Sequence, residues 1–161
     1  MREAAEVRAA ALRAQTDVGE RMGEEAGREV TRIEGSTAIL PDRVGPRSGK
    51  VDGVSWSADK ATLFINEYKG PSASRSTRQV TQADGTVAAA EQGSTEHLAD
   101  TLKHDMEFLD AIKGNPELCE GLKNGRITIE YRVIRVTQTG KVNVTTYEID
   151  ATQLNLIDLL G

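Results

Sequence analysis

Three residues with reactive side chains stand close together near the middle of the chain. Asp52 lies in the segment GKVDGVSW, and Glu67 and Lys69 end the segment ATLFINEYK on either side of Tyr68. Adjacent carboxylates repel each other unless a cation neutralises them, and Mg²⁺ prefers carboxylate oxygens. An ammonium group beside such a site can position water and stabilise charge on phosphoryl oxygens. These residue types therefore predict metal-assisted hydrolysis of phosphodiesters.

The two segments that carry these residues are predicted to form a β-hairpin. Both are rich in β-branched, aliphatic and aromatic residues, and the connection SADK between them is short. A turn centred between Asp59 and Lys60 would place Asp52 directly opposite Glu67. Opposed residues share a face of a sheet, as do residues two apart in one strand, so Lys69 would join them. A slip of one residue would move Asp52 to the other face.

A helix is predicted before this hairpin. Residues 2–34 are rich in Ala, Glu and Arg and carry apolar residues near helical spacing, with either two helices or one helix bent near Gly19. The apolar stripe that should face the sheet consists of Met22, Ala26, Val30 and Ile33. Among Glu24, Glu25, Glu29 and Glu34, we expect Glu29 to lie nearest the centre of this stripe and to join the site, with Glu25 on the edge of the stripe as the second choice.

The remaining pattern alternates between helical and extended segments. Residues 35–49 and 71–93 are predicted loops, and 94–113 is a predicted amphipathic helix that ends at Gly114-Asn115-Pro116. Residues 126–136 and 141–149 predict a second hairpin, and 152–160 predict a short closing helix. This order indicates an α/β protein with a mixed central sheet flanked by helices.

Composition limits the classes of protein that fit. The chain has 161 residues, which suits one domain over 1–161, with a helical part at 1–34 and a strand-helix-strand core at 49–161. Its single cysteine excludes an internal disulfide, and its net charge of -5 argues against a protein that coats phosphates passively. No signal peptide or membrane span is expected, which predicts a soluble protein.

Four segments carry a family resemblance: GREVTRIEG, GKVDGV, NEYKGPSASRS and EQGSTEHLADTL. Together they resemble the PD-(D/E)xK, or restriction-endonuclease-like, nucleases, and in particular the nuclease domains that end bacterial polymorphic toxins. The resemblance covers about residues 22–110. Val51 stands where the family name has Pro, and Tyr68 is bulky for its position between Glu67 and Lys69.

The resemblance implies a restriction-endonuclease-like fold and a DNase that uses Mg²⁺ or Mn²⁺. Asp52, Glu67 and the backbone carbonyl of Tyr68 would hold the metal, Lys69 would act on water, and Glu29 would assist. In the loop after Lys69, Arg75 and Arg78 either bind backbone phosphates or serve as solubilising charges. For Gln92 the same resemblance implies a role in orienting substrate or water, and the alternative is an ordinary loop residue.

The biological setting that the resemblance implies is antibacterial. The domain would be released from a longer secreted polypeptide, act on DNA in the cytoplasm of a competitor cell, and be neutralised at home by an immunity protein. The sequence does not decide whether the substrate is DNA or RNA, whether it is single- or double-stranded, or by which route the protein is secreted.

Three alternatives stay open at this point. Asp52, Glu67 and Lys69 could form a solvated cross-strand charge network. The same site could belong to a housekeeping repair or restriction nuclease, acting in its own cytoplasm. A non-catalytic adaptor could bind partners through the edge of the second hairpin. In that hairpin Arg126 and Arg132 share one face and Arg135 takes the other, either facing DNA or protecting a sheet edge.

Overall fold

The computed structural model describes residues 21–40, 51–71, 77–81, 87–91, 95–149 and 156–160. Side chains are described within these ranges except those at 77–81, 87–91, 95–97, 148 and 156–157. Helix α1 occupies 21–34. The other elements are β1 (Thr37–Ala38), β2 (Gly53–Trp56), β3 (Thr62–Lys69), β4 (Thr77–Thr81), β5 (Val87–Glu91), α2 (Thr95–His104), α3 (Met106–Lys113), α4 (Pro116–Lys123), β6 (Thr128–Val136), β7 (Val142–Ile149) and α5 (Leu156–Leu160).

A five-stranded mixed sheet forms the centre of the fold, in the order β1-β2-β3-β6-β7. Neighbouring strands are antiparallel except β3 and β6, which are parallel. A parallel pair needs a long crossover connection, and the chain between β3 and β6 contains β4, β5 and helices α2 to α4. The prediction of an α/β protein with a mixed sheet flanked by helices is confirmed.

The two faces of the sheet carry different cores. Leu63 and Ile65 of β3 are fully buried among side chains of α2 to α5, and each such burial contributes about 1.5–3 kcal/mol. On the opposite face, Ile134 and Val136 of β6 form a smaller cluster with Ala26 of α1. Because successive strand residues alternate faces, odd-numbered residues of β3 point towards α2 to α5 and even-numbered ones towards α1.

The first hairpin has the predicted register. Val54 pairs with Ile65 and Trp56 pairs with Leu63. These are the pairs expected for a turn centred between Asp59 and Lys60. Lys60 takes a left-handed backbone conformation with φ of 61°, and its carbonyl accepts a hydrogen bond of 3.1 Å from the Trp56 indole. The tight turn therefore sets the relation between β2 and β3.

The predicted helix over 94–113 is instead two helices. α2 ends at His104 and α3 begins at Met106, with Asp105 between them at φ -89° and ψ 84°. Gly114-Asn115-Pro116 was predicted to end this helical segment, but a further helix, α4, begins there. Asn115 caps α4 and Pro116 occupies its first turn, a position that suits proline because the missing N–H is not needed there.

The predicted loop over 71–93 contains a separate two-stranded antiparallel sheet, in which Thr77 pairs with Glu91 and Thr81 with Val87. Alternation there is obscured by small and polar residues, so the strand pattern was missed. The second hairpin is confirmed by β6 and β7, but β6 lies between β3 and β7 and is not an edge.

The two ends of the chain are described only in part. The predicted bend near Gly19 lies outside the described residues. Of the predicted closing helix over 152–160, α5 covers Leu156–Leu160. Among the described helices, none has the length and apolar character needed to cross a membrane.

Candidate functional site

Asp52 and Glu67 lie at the end of the hairpin where β2 begins and β3 ends. The last pair of the ladder is Gly53 with Asn66; Asp52 directly precedes Gly53, and Glu67 directly follows Asn66. Glu67 and Lys69 are odd-numbered residues of β3 and share the face towards α2 to α5. The hairpin therefore brings these three predicted site residues to one end of the sheet.

A hydrogen bond fixes Asp52 to the neighbouring strand. Its Oδ2 accepts from the backbone N–H of Tyr68 at 2.9 Å. The carboxylate thus continues the β2–β3 ladder by one step beyond the last paired residue. Since an ionised carboxylate offers about four acceptor sites on two oxygens, this bond leaves coordination of a cation chemically allowed.

Glu67 and Lys69 differ in exposure. Glu67 is 6% exposed, whereas Lys69 is half-buried. Burial disfavours a charged carboxylate unless cations or hydrogen-bond donors surround it. A positive group beside this buried carboxylate would therefore stabilise its charged form.

The Tyr68 side chain points away from this face, towards α1. A Cβ atom added at Gly27 would clash with Cε1, Cδ1 and Cζ of the Tyr68 ring, and one added at Gly53 would clash with the Tyr68 hydroxyl. These two glycines make room for the bulky residue between Glu67 and Lys69. Because the ring lies towards α1, Tyr68 has only its backbone near Asp52 and Glu67.

The expectation that Glu29 joins the site is wrong for this structure. Its side chain is 52% exposed and pairs with Arg32 on the same helix. This hydrogen-bonded ion pair lowers the pKa of Glu29. Moreover, α1 covers the face of the sheet that holds Tyr68, whereas Glu67 and Lys69 point to the other face.

The rotation of α1 explains the error. Its contact face runs through Gly23, Gly27 and Val30, and Ile33 of the predicted stripe is 71% exposed. A Cβ at Gly23 would lie 2.8 Å from the carbonyl carbon of Lys69, so the helix backbone touches the end of β3 directly. Met22, Ala26 and Val30 of the predicted stripe do pack in the cluster between α1 and the sheet, but Gly23 and Gly27, which carry no apolar signal, extend the contact face to the side away from Glu29.

Glu34 is the glutamate of α1 that reaches the sheet. Its Oε1 accepts from Nη1 of Arg132 at 2.6 Å, and Arg132 Nε donates to Asn66 at 2.9 Å. Asn66 in turn donates to Ser55 at 3.2 Å, and the Arg132 guanidinium stacks on Phe64 with 3.7 Å between Cζ and the ring centroid. This polar chain crosses three strands on the α1 face.

Both predicted roles of Arg132, facing DNA and protecting a sheet edge, are wrong. It is 3% exposed in a central strand, so it neither faces DNA nor protects an edge. Its Nη2 atom is buried with no hydrogen-bond partner among the described residues. Arg132 instead ties α1 to the sheet, a role that the alternation of charged and apolar residues in β6 could not distinguish from exposure.

Asp105 is a second residue that sequence reasoning missed. It is fully buried, its Oδ1 accepts from Phe108 N at 3.2 Å, and its Oδ2 accepts from Val51 N at 3.1 Å. One carboxylate therefore caps α3 and holds the residue that precedes Asp52. The only sequence signal is an acid at an apolar position of the predicted helix.

The remaining candidates are described in part or not at all. Arg75 and Gln92 lie outside the described residues, and Arg78 lies in β4 with its side chain not described.

The donor set at this end of the sheet suits a hard cation with few protein ligands. Within the described ranges, no three His, Cys, Asp or Glu side chains gather as a metal-binding group. Mg²⁺ typically takes one or two carboxylates and keeps several waters. The pair Asp52 and Glu67 meets that lower requirement.

Comparison with known proteins gives no relative from which a function could be transferred: no family model, curated protein or solved structure matches this chain.

Proposed function

We propose that this protein is a metal-dependent phosphodiester hydrolase that cuts DNA, with a restriction-endonuclease-like arrangement of its sheet. The single observation that supports it is the β2–β3 register: the last pair is Gly53 with Asn66, so Asp52 and Glu67 follow directly at this end of the hairpin, and Lys69 lies two residues after Glu67 on the same face of β3. The mixed sheet flanked by helices is compatible with that superfamily.

Each residue of the site has a separate role in the proposed reaction. Asp52 and Glu67 would hold Mg²⁺ or Mn²⁺ together with the backbone carbonyl of Tyr68. The ion would supply Lewis-acid polarisation of a phosphoryl oxygen. Lys69 would donate hydrogen bonds to the attacking water and to oxygens that gain negative charge as the phosphodiester bond breaks.

The Asp52–Tyr68 hydrogen bond supports this assignment, because it restricts the first carboxylate relative to the strand that carries the second. Preorganised groups cost less to bring together when substrate binds. Glu29 has no part in the proposed site, and Arg75 and Arg78 remain candidates for phosphate binding.

The experiment compares cleavage of plasmid DNA and of RNA by wild-type protein with Mg²⁺ or with EDTA. Glu67→Gln and Lys69→Met should each lower the rate at least about a hundredfold while leaving the fold intact. Glu117→Gln is the matched control: Glu117 is exposed and pairs with Lys60 at the start of β3, about 23 Å from its end. Cleavage that persists in both site variants would overturn the proposal.

The proposed biological role is that of an antibacterial effector domain, as the sequence resemblance implies. Expression in a bacterial cytoplasm should then arrest growth and degrade DNA, and Glu67→Gln should abolish both effects. Co-expression of a small neighbouring gene that restores growth would identify the immunity protein. A housekeeping repair or restriction nuclease would instead be tolerated by its own host without a dedicated inhibitor.

The second candidate function is partner binding at β7. This strand pairs only with β6 among the described strands, and Val142 and Val144 are 40% and 44% exposed. Exposed edge strands can accept an extended peptide. An adaptor of this kind would show no cleavage, and Val144→Lys would abolish capture of its partner while Lys69→Met would not.

A further inference from the structure

The parallel pairing of β3 and β6 brings a second cation beside Lys69. The register pairs Lys69 with Arg135 and Glu67 with Val133. Neighbouring strands lie about 4.8 Å apart, and paired residues share a face. Arg135 therefore lies on the face of Glu67 and Lys69, at the same end of the sheet.

Acidic and basic residues follow each other on this face. Lys69 and Arg135 form a basic pair two residues further along β3 and β6 than Glu67, about 7 Å away. Like charges that lie side by side on a sheet destabilise it. A bound anion would therefore stabilise this basic pair, next to the carboxylates proposed to hold the metal.

The Arg135 side chain is held in position yet remains accessible. It is half-buried, and its Nη1 lies 3.5 Å from the Gly70 carbonyl oxygen just beyond β3. A guanidinium presents five donors in a planar fork whose geometry matches phosphate oxygens. Arg132, three residues earlier, is buried on the other face and serves α1.

We propose that Arg135 is a substrate-binding residue that contacts a phosphate of the nucleic-acid backbone next to the phosphate that is cut. The inference rests on the proposed nuclease function and deepens it, because it assigns the anion side of the same site. Lys69 acts at the reacting phosphate, and Arg135 fixes the position of the strand beside it through charge-assisted hydrogen bonds.

The test measures DNA binding separately from cleavage. A fluorescently labelled DNA duplex is titrated with Glu67→Gln protein in Mg²⁺, and fluorescence anisotropy gives Kd over a series of salt concentrations. Arg135→Gln and Arg135→Lys are added to this parent. Arg126→Gln is the control, since Arg126 is exposed and precedes the opposite end of β6. Urea unfolding of every variant checks its fold.

Arg135→Gln should raise Kd roughly tenfold or more and lower the slope of log Kd against log salt by about one. Arg135→Lys should stay within about threefold of the parent, because a point charge still binds phosphate. Equal Kd values for Arg135→Gln and the parent would overturn the assignment, as would equal losses in Arg135→Gln and Arg135→Lys.

The same experiment separates this inference from the proposed function. Wild-type cleavage with unchanged binding by Arg135→Gln removes only the role of Arg135. Absence of metal-dependent cleavage by the wild type removes the proposed function itself, and the inference with it.

Discussion

Replacing Asp105 by alanine should destabilise the protein more than the loss of an ordinary helix cap. Two backbone N–H groups depend on this carboxylate: Phe108 N at 3.2 Å and Val51 N at 3.1 Å. Loss of the cap costs about 1 kcal/mol. Loss of a charged acceptor by the buried Val51 N–H costs about 1.5–3 kcal/mol more.

The sum predicts that Asp105→Ala lowers the free energy of unfolding by about 2.5–4 kcal/mol. Asn115→Ala provides the matched control, because Asn115 caps α4 through Leu118 N at the same distance of 3.2 Å and makes no such second bond in the described part of the chain. That control should lose about 1 kcal/mol. Urea unfolding followed by circular dichroism measures both, and an unchanged slope against urea keeps the comparison valid.

A second substitution separates the two bonds. Asp105→Ser can still cap α3 but is too short to hold Val51, so it should keep most of the cap energy and lose the link to the residue before Asp52. Exchange of the Tyr68 amide proton, which bonds to Asp52, should then accelerate relative to amides of the β6–β7 hairpin. If Asp105→Ala costs no more than Asn115→Ala, the link to Val51 has no energetic weight.

Three further changes test other contacts. Arg132→Met should lower the free energy of unfolding by about 2–4 kcal/mol, because it strands buried Asn66 and releases Glu34, and urea unfolding measures it. Gly23→Ala should cost about 1–3 kcal/mol in the same assay, since its Cβ would meet the Lys69 backbone at 2.8 Å; a loss near zero would mean that α1 does not pack there. Hydrogen bonds from the Ser57 hydroxyl and then the Ala61 N–H favour ionised Asp59 and lower its pKa from the ordinary 3.8. The folded state is therefore stabilised fully above that ordinary value, and this stabilisation is lost as the pH falls through the lowered pKa. Unfolding at about pH 6 and about pH 2.5 should therefore show a larger acid loss for wild type than for Asp59→Asn.

Local patterns were sufficient for the parts of the fold that depend on neighbours in sequence. The five-residue connection between β2 and β3 restricts the hairpin to few registers, and the predicted one, with Val54 opposite Ile65, is confirmed. The second hairpin follows for the same reason. The β4–β5 pair was missed because small residues such as Ala88 to Ala90 carry little alternation.

Glycine and capping residues marked the limits of pattern reasoning in the helices. Gly23 and Gly27 lie on the contact face of α1 because the end of β3 and the Tyr68 ring approach so closely, yet a hydrophobic stripe ignores them. Asp105 breaks a continuous apolar period because its carboxylate is needed elsewhere. In both cases the deciding partner lies in a distant segment.

The sequence by itself determined the hairpin that brings Asp52 and Glu67 to one end of the sheet, because a short turn fixes which residues of its two strands can pair. Only the tertiary structure decided what surrounds them. Arg135 lies 66 positions after Lys69, and Arg132 lies 98 after Glu34. Such contacts form when the crossover helices close the sheet, and burial of both faces selects one register for β6, which no local period encodes.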